Sequence, residues 1–326
     1  MANISITTEC NRRCKYCFAE DSQSDTAIKV MSREIFLAAI EYLKRSKIRQ
    51  LRLLGGEPTL HPDFAWMIGV AEREGFQLMI FSNGLINNHI LKRLKRLNPE
   101  KLTILLNTIH PLENDSIGIK KQQNTMNELG KRVMAGINIY RRKMELDYLL
   151  DYVTKFDLKR EIRIGISHTV LSRNNVFLHP KFYQQVGLDI LDFIKKAKEQ
   201  DISIGFDCGF VPCMFPEKSF EFLGNMMNKT GVCCNPNLDL LPDGNFISCY
   251  PLHYMKRISL TEKIDAPYLI DEFKKSRDQL QKIGIYSHCV ECPLFANRCN
   301  GGCVAFRFYM LHAKRSNQIN GMQGQS

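Results

Sequence analysis

From residue 4 to residue 206 the chain alternates short apolar runs with segments whose apolar residues recur at helical spacing, and few folds satisfy that rhythm. Each run suits a buried strand and each intervening segment a crossover helix, so repeated strand–helix units build a parallel sheet. The runs 4–7, 51–54, 78–81, 102–106, 162–170 and 202–206 give six strands. Ser32 is placed to cap a helix whose Phe36, Ile40 and Leu43 share one face, and Gly75 stands where a helix bearing Phe64, Met67, Ile68 and Ala71 needs a left-handed end. Leu129, Val133, Ile137 and Tyr140 read as part of a longer helix. Right-handed crossovers curl such a sheet, so the expectation for residues 1–206 is an α/β partial (β/α)6 barrel of the TIM type.

In a barrel of this kind the chemistry sits at the C-terminal ends of the strands. Cys10, Cys14 and Cys17 follow the first strand, Gly55-Gly56-Glu57-Pro58 the second, Ser82-Asn83-Gly84 the third and Asn107 the fourth. Three thiolates spaced Cys-x3-Cys-x2-Cys can hold three irons of a cubane and leave the fourth iron open to a ligand. A zinc site would need a fourth protein ligand to close.

The cysteines are unevenly spread. Of the 12, three fall in the first 17 residues and the other nine between Cys208 and Cys303. With no apolar export segment at the start, this pattern favours metal sites over disulfides and implies a soluble cytoplasmic protein without a membrane span. The formal charge of +11 falls largely on helix-period segments, as in Lys92, Arg93, Lys95 and Arg96. That is the pattern of solvated helix faces, so nucleic acid is not an expected partner.

Cys10-x3-Cys14-x2-Cys17 together with Leu53-Leu54-Gly55-Gly56-Glu57-Pro58 resembles the radical S-adenosylmethionine (SAM) superfamily. The resemblance implies a 4Fe–4S cluster on the three cysteines, SAM chelated to its open iron, and a 5′-deoxyadenosyl radical that abstracts hydrogen from a substrate. It places Tyr16 beside the adenine. Gly55 and Gly56 take the methionyl amine, Glu57 and Pro58 lie next to them, and Ser82 and Asn107 are contacts to the ribose or carboxylate. A small electron donor such as flavodoxin or ferredoxin is implied as a partner.

Past residue 206 the texture becomes rich in cysteine, glycine and proline, which sets a second region at 207–313 and a polar tail at 314–326. Cys234-x9-Gly244-x4-Cys249 followed by Cys289-x2-Cys292-x6-Cys299-x3-Cys303 resembles the SPASM extension, a carrier of one or two auxiliary iron–sulfur clusters in enzymes that mostly modify peptides and proteins. Two departures stand out: six residues separate Cys292 from Cys299 where the family has five, and no cysteine follows Cys303. Cys208 or Cys213 compensates in this reading. One cluster then uses Cys213, Cys234, Cys249 and Cys303, and the other Cys289, Cys292, Cys299 and an open fourth ligand; the alternative is zinc on Cys289, Cys292, Cys299 and Cys303.

The resemblance implies a peptide or protein substrate that is cross-linked, epimerised or oxidised. The alternatives are a small molecule, such as a sugar, aminoglycoside or nucleotide-derived metabolite, and, in another class, a non-catalytic electron carrier. Tyr254, Cys208 and Cys233 are candidate hydrogen donors to a substrate radical. Scattered histidines such as His168, His179 and His253 read as surface or satisfied core residues.

Overall fold

A computed structural model of the protein describes residues 2–170, 175–224, 234–295 and 297–312. Seven parallel strands form its centre: β1 (Asn3–Thr7), β2 (Gln50–Gly55), β3 (Gln77–Ser82), β4 (Leu102–Asn107), β5 (Val133–Ile139), β6 (Glu161–Ile166) and β7 (Ser203–Phe206). They pair strictly in chain order, which is the arrangement of a partial barrel. The C-terminal region adds β8 (Asp239–Leu240) in parallel against β1, then β9 (Asn245–Ile247) and β10 (Ile258–Ser259) antiparallel beyond it. The same sheet therefore crosses the boundary near residue 207.

Alternation along the strands separates two environments. Leu51, Leu53, Ile104, Leu106, Ile162 and Ile164 point outward into the core under the helices, where they are fully or almost fully buried. Their neighbours Arg52, Asn107, Asn138, Arg163 and Asp207 face the lumen and remain half-buried. Ser32 accepts a hydrogen bond from Ile35 N (3.3 Å) and starts the helix Arg33–Arg45, and Gly75 is left-handed with φ 74°.

The extra strand corrects the helical reading of Val133, Ile137 and Tyr140. The helix Ser116–Leu129 ends at Gly130, and Val133–Ile139 is extended. A spacing of four satisfies a helical and a two-residue period alike, so these positions alone did not discriminate. Among the described residues, no helix is long and apolar enough to cross a membrane. The tail and Cys233 lie outside the described residues.

Candidate active site

The loop carrying Cys10, Cys14 and Cys17 is pinned from several sides. At its root, Gly56 N donates to Thr7 O (2.8 Å) and Glu57 N to Glu9 O (2.7 Å), which zips the ends of β1 and β2 together. A Cβ on Gly55 would stand 2.2 Å from the Thr7 carbonyl oxygen, and one on Gly56 2.2 Å from that of Glu9. Glycine is required here by the approach of backbone to backbone. Further along, Asn11 Nδ2 donates to Leu85 O (3.0 Å), Ser167 Oγ to Tyr16 O (3.3 Å) and Val176 N to Lys15 O (2.9 Å).

Glu57 is wholly buried. It accepts from Thr59 Oγ1 (2.7 Å), Ser82 Oγ (3.0 Å) and Asn83 N (2.7 Å). Burial pushes its carboxyl up, and the bonds from Thr59, Asn83 and Ser82 pull it back down. Glu57 and Ser82 are thus spent on tying the β2 and β3 loops together, and Pro58 opens the 3-10 turn Pro58–Leu60 behind them. This tie sets Asn83, whose Nδ2 reaches Asn11 Oδ1 (2.7 Å) and points at Cys10 Sγ (3.7 Å).

Tyr16 stacks on Tyr140 with ring centroids 4.7 Å apart, and its hydroxyl accepts from Asn107 Nδ2 (3.3 Å). Asn107 Oδ1 accepts in turn from Asn138 Nδ2 (3.4 Å), so a polar row runs from the mouth into the lumen. Arg12 pairs with Glu113 at 2.6 Å, with side chains only 7% and 14% exposed. Burial works against the Arg12 charge, but Tyr16, Cys14 and Glu113 outweigh it and keep the guanidinium protonated. Burial pushes the Cys14 thiol up to about 11 against the pull of Arg12, so an electropositive partner is needed to hold it as thiolate.

Deeper in the lumen, Arg163 pairs with Asp207 at 3.1 Å. Arg52, from the opposite wall, is lowered by burial and then by the charge of Arg163, with Asp207 acting the other way. The lumen thus presents two half-buried guanidiniums, Arg52 and Arg163, near the carboxylate of Asp207.

The radical SAM superfamily model matches residues 4–149, which hold the cysteine loop, the glycine pair and the Tyr16–Asn107 contact. A little under half of the chain therefore matches the radical SAM superfamily. Among curated relatives, it is 32% identical over 159 residues to molybdenum cofactor biosynthesis protein 1 of Drosophila melanogaster, covering 46% of this chain and 26% of that protein. It is 39% identical over 84 residues to the S-adenosylmethionine-dependent nucleotide dehydratase of Selenomonas ruminantium, covering 25% of this chain and 29% of that protein. The chain thus spans about a quarter of the length of these relatives. Its fold resembles native anSMEcpe with bound AdoMet (TM-score 0.68, 16% identity, 96% of this chain and 95% of that one). It also resembles Streptococcus suis SuiB bound to precursor peptide SuiA (TM-score 0.65, 16% identity, 93% and 71%).

A radical SAM enzyme carries a 4Fe–4S cluster and SAM, and the mouth fits them in donor chemistry: three thiols on one pinned loop, a glycine pair and a stacked tyrosine. The C-terminal cysteines divide differently from the sequence expectation. Cys213 lines one recess with Cys289, Cys292 and Cys299. Cys234, Cys249 and Cys303 pack instead around Leu252, Leu280, Val304 and Ala305. This partition moves Cys213 away from the set Cys234, Cys249 and Cys303, and Cys303 out of the zinc alternative.

His168, just past β6, bonds Cys208 Sγ at 2.9 Å. Burial disfavours its charge, but the neighbouring Cys208 and Cys303 side chains outweigh that and raise it. His168 is therefore a bridging group and not a bystander; its position at a strand end was the available signal. His253 is a satisfied core histidine, bonded to Asp25 at 2.7 Å and to Tyr250 O at 3.0 Å. Tyr254 is 40% exposed and packs against His253 and Phe308. Arg12, Glu113 and Tyr140 gave no separate signal, since the first lies among the cysteines, the second in a loop and the third at the end of a strand that reads as helix.

Proposed function

We propose that this radical SAM enzyme abstracts hydrogen from a small, polar, anionic substrate held in the barrel lumen. When bound, the cluster and SAM supply reductive cleavage and a radical able to take a hydrogen atom. The chain supplies placement. Tyr16 and Asn107 offer a stacking face and a hydrogen-bonding edge at the mouth, and Gly55-Gly56-Glu57 fixes the loop that carries the cysteines. The polar row through Asn138, with Arg52 and Arg163 below it, orients a substrate that bears a phosphate or carboxylate.

The observation that carries this reading is the pair of half-buried arginines, Arg52 and Arg163, on the lumen wall. Relatives named for nucleotide and molybdenum-cofactor chemistry support it. A second reading, a peptide substrate, rests on the fold likeness to SuiB bound to precursor peptide SuiA, which spans 93% of this chain. The test is 5′-deoxyadenosine formation by reduced enzyme given SAM and either a nucleoside triphosphate panel led by GTP or a short peptide panel. Stimulation by a nucleotide, lost in Arg52→Gln and Arg163→Gln, is expected. Stimulation by peptides alone, unchanged in those variants, favours the second reading and sinks the first.

A further inference from the structure

A recess in the C-terminal region encloses about 50 Å³, and four cysteines line it: Cys213, Cys289, Cys292 and Cys299. Three come from one short stretch of chain, where Cys292 N bonds Cys289 O (3.1 Å) and Phe295 N bonds Cys292 O (2.9 Å). Cys213 arrives from the 3-10 turn Pro212–Met214, which follows the last barrel strand. The remaining wall is mostly apolar, with Ile285, Leu294 and Phe295, and also carries Tyr286 and His288.

The local backbone is shaped for sulfur. A Cβ on Gly284 would stand 2.3 Å from Cys289 Sγ, so this glycine is a seat for that thiol. Gly301 N donates to Cys299 Sγ at 3.3 Å, the kind of bond that stabilises a thiolate and tunes a cluster bound to it.

Charge points the same way. Arg307 is fully buried, with Nη1 on Leu280 O (2.8 Å) and Nη2 on the carbonyls of Asn300 and Gly302. Its Nε has no partner, nor has that of the buried Arg277 beside Cys234. Among the described residues no carboxylate pairs with either arginine. A buried guanidinium without a counter-charge is costly, and four thiolates around a cubane carry net negative charge.

We infer that Cys213 is the fourth ligand of an auxiliary 4Fe–4S cluster held with Cys289, Cys292 and Cys299, so that the barrel itself closes the cluster. The site goes beyond the proposed reaction and stands on geometry independent of the substrate.

The test uses the full chain with Cys10, Cys14 and Cys17 changed to Ala, which removes the barrel-mouth cluster and isolates the C-terminal ones. Iron and sulfide are counted, and Mössbauer and EPR spectra recorded, after anaerobic reconstitution. In this background Cys213→Ala is expected to lose up to about four irons per chain or to give a three-iron EPR signal, and Cys213→Ser to recover part of the parent spectrum. Cys208→Ala tests the competing ligand: loss of the same irons in Cys208→Ala and not in Cys213→Ala overturns the proposal. Circular dichroism of each variant separates cluster loss from unfolding. Unchanged iron and spectra in a folded Cys213→Ala protein overturn the assignment, as does a parent that binds zinc and no iron. SAM cleavage by the wild-type chain is scored separately, so failure of the radical chemistry leaves this outcome readable.

Discussion

The two cysteine regions reach their geometry by opposite routes. At the barrel mouth, three thiols lie within eight consecutive residues, and neighbouring strand ends clamp that loop through Gly56, Glu57 and Ser167. In the C-terminal region the thiols are spread from Cys208 to Cys303 and meet only through tertiary packing around buried Arg277 and Arg307. A contiguous loop on a parallel sheet is preformed by the fold. A scattered set with unpaired buried charge depends on its cofactor for stability, which makes the second region the more breakable of the two.

Removing iron with a chelator gives the widest separation between the regions. Amide exchange over 234–303 should quicken strongly, while β4 and β5, with their wholly buried outward faces, stay protected. Equal protection of both regions in the iron-free protein would break the comparison. Arg307→Met comes next. It strands the carbonyls of Leu280, Asn300 and Gly302 and should cost about 1–3 kcal/mol in denaturant unfolding of the C-terminal region.

Gly56→Ala drives a Cβ into the Glu9 carbonyl and should cost about 1–3 kcal/mol. Because the strain falls at the root of the cysteine loop, SAM binding measured by calorimetry should weaken as well. A further effect concerns pH. Burial pushes Asp239, on the seam between the two regions, up to about 7, with Asn3 pulling it down and Asp207 adding to the rise. A carboxyl raised in the folded state contributes stability that is complete below its unfolded value near 4 and is lost as pH climbs through about 7. Asp239→Asn should flatten unfolding free energy between about pH 4 and 7; an unaltered slope would place the titration elsewhere.

Much of the mouth was legible because its information is local. Cys10, Cys14 and Cys17 follow a strand whose end is visible in the apolar pattern, and Gly55-Gly56-Glu57 follows the next. What the residue types did not reveal was their use. Glu57 and Ser82 have the chemistry to meet a ligand, yet their polar atoms satisfy each other across two loops. The grouping of the C-terminal cysteines was not legible, because it depends on where the barrel delivers Cys213 and no local spacing encodes that contact. Strand β5 was hidden by a spacing of four that fits either period.

The central claim is tested most directly by incubating the reconstituted, chemically reduced full chain with SAM and quantifying 5′-deoxyadenosine and methionine. Equal amounts of the two products, absent in Cys14→Ala, are the predicted result. A protein that carries its mouth cluster, shown by iron content and EPR, and forms no 5′-deoxyadenosine under strong reduction would contradict it.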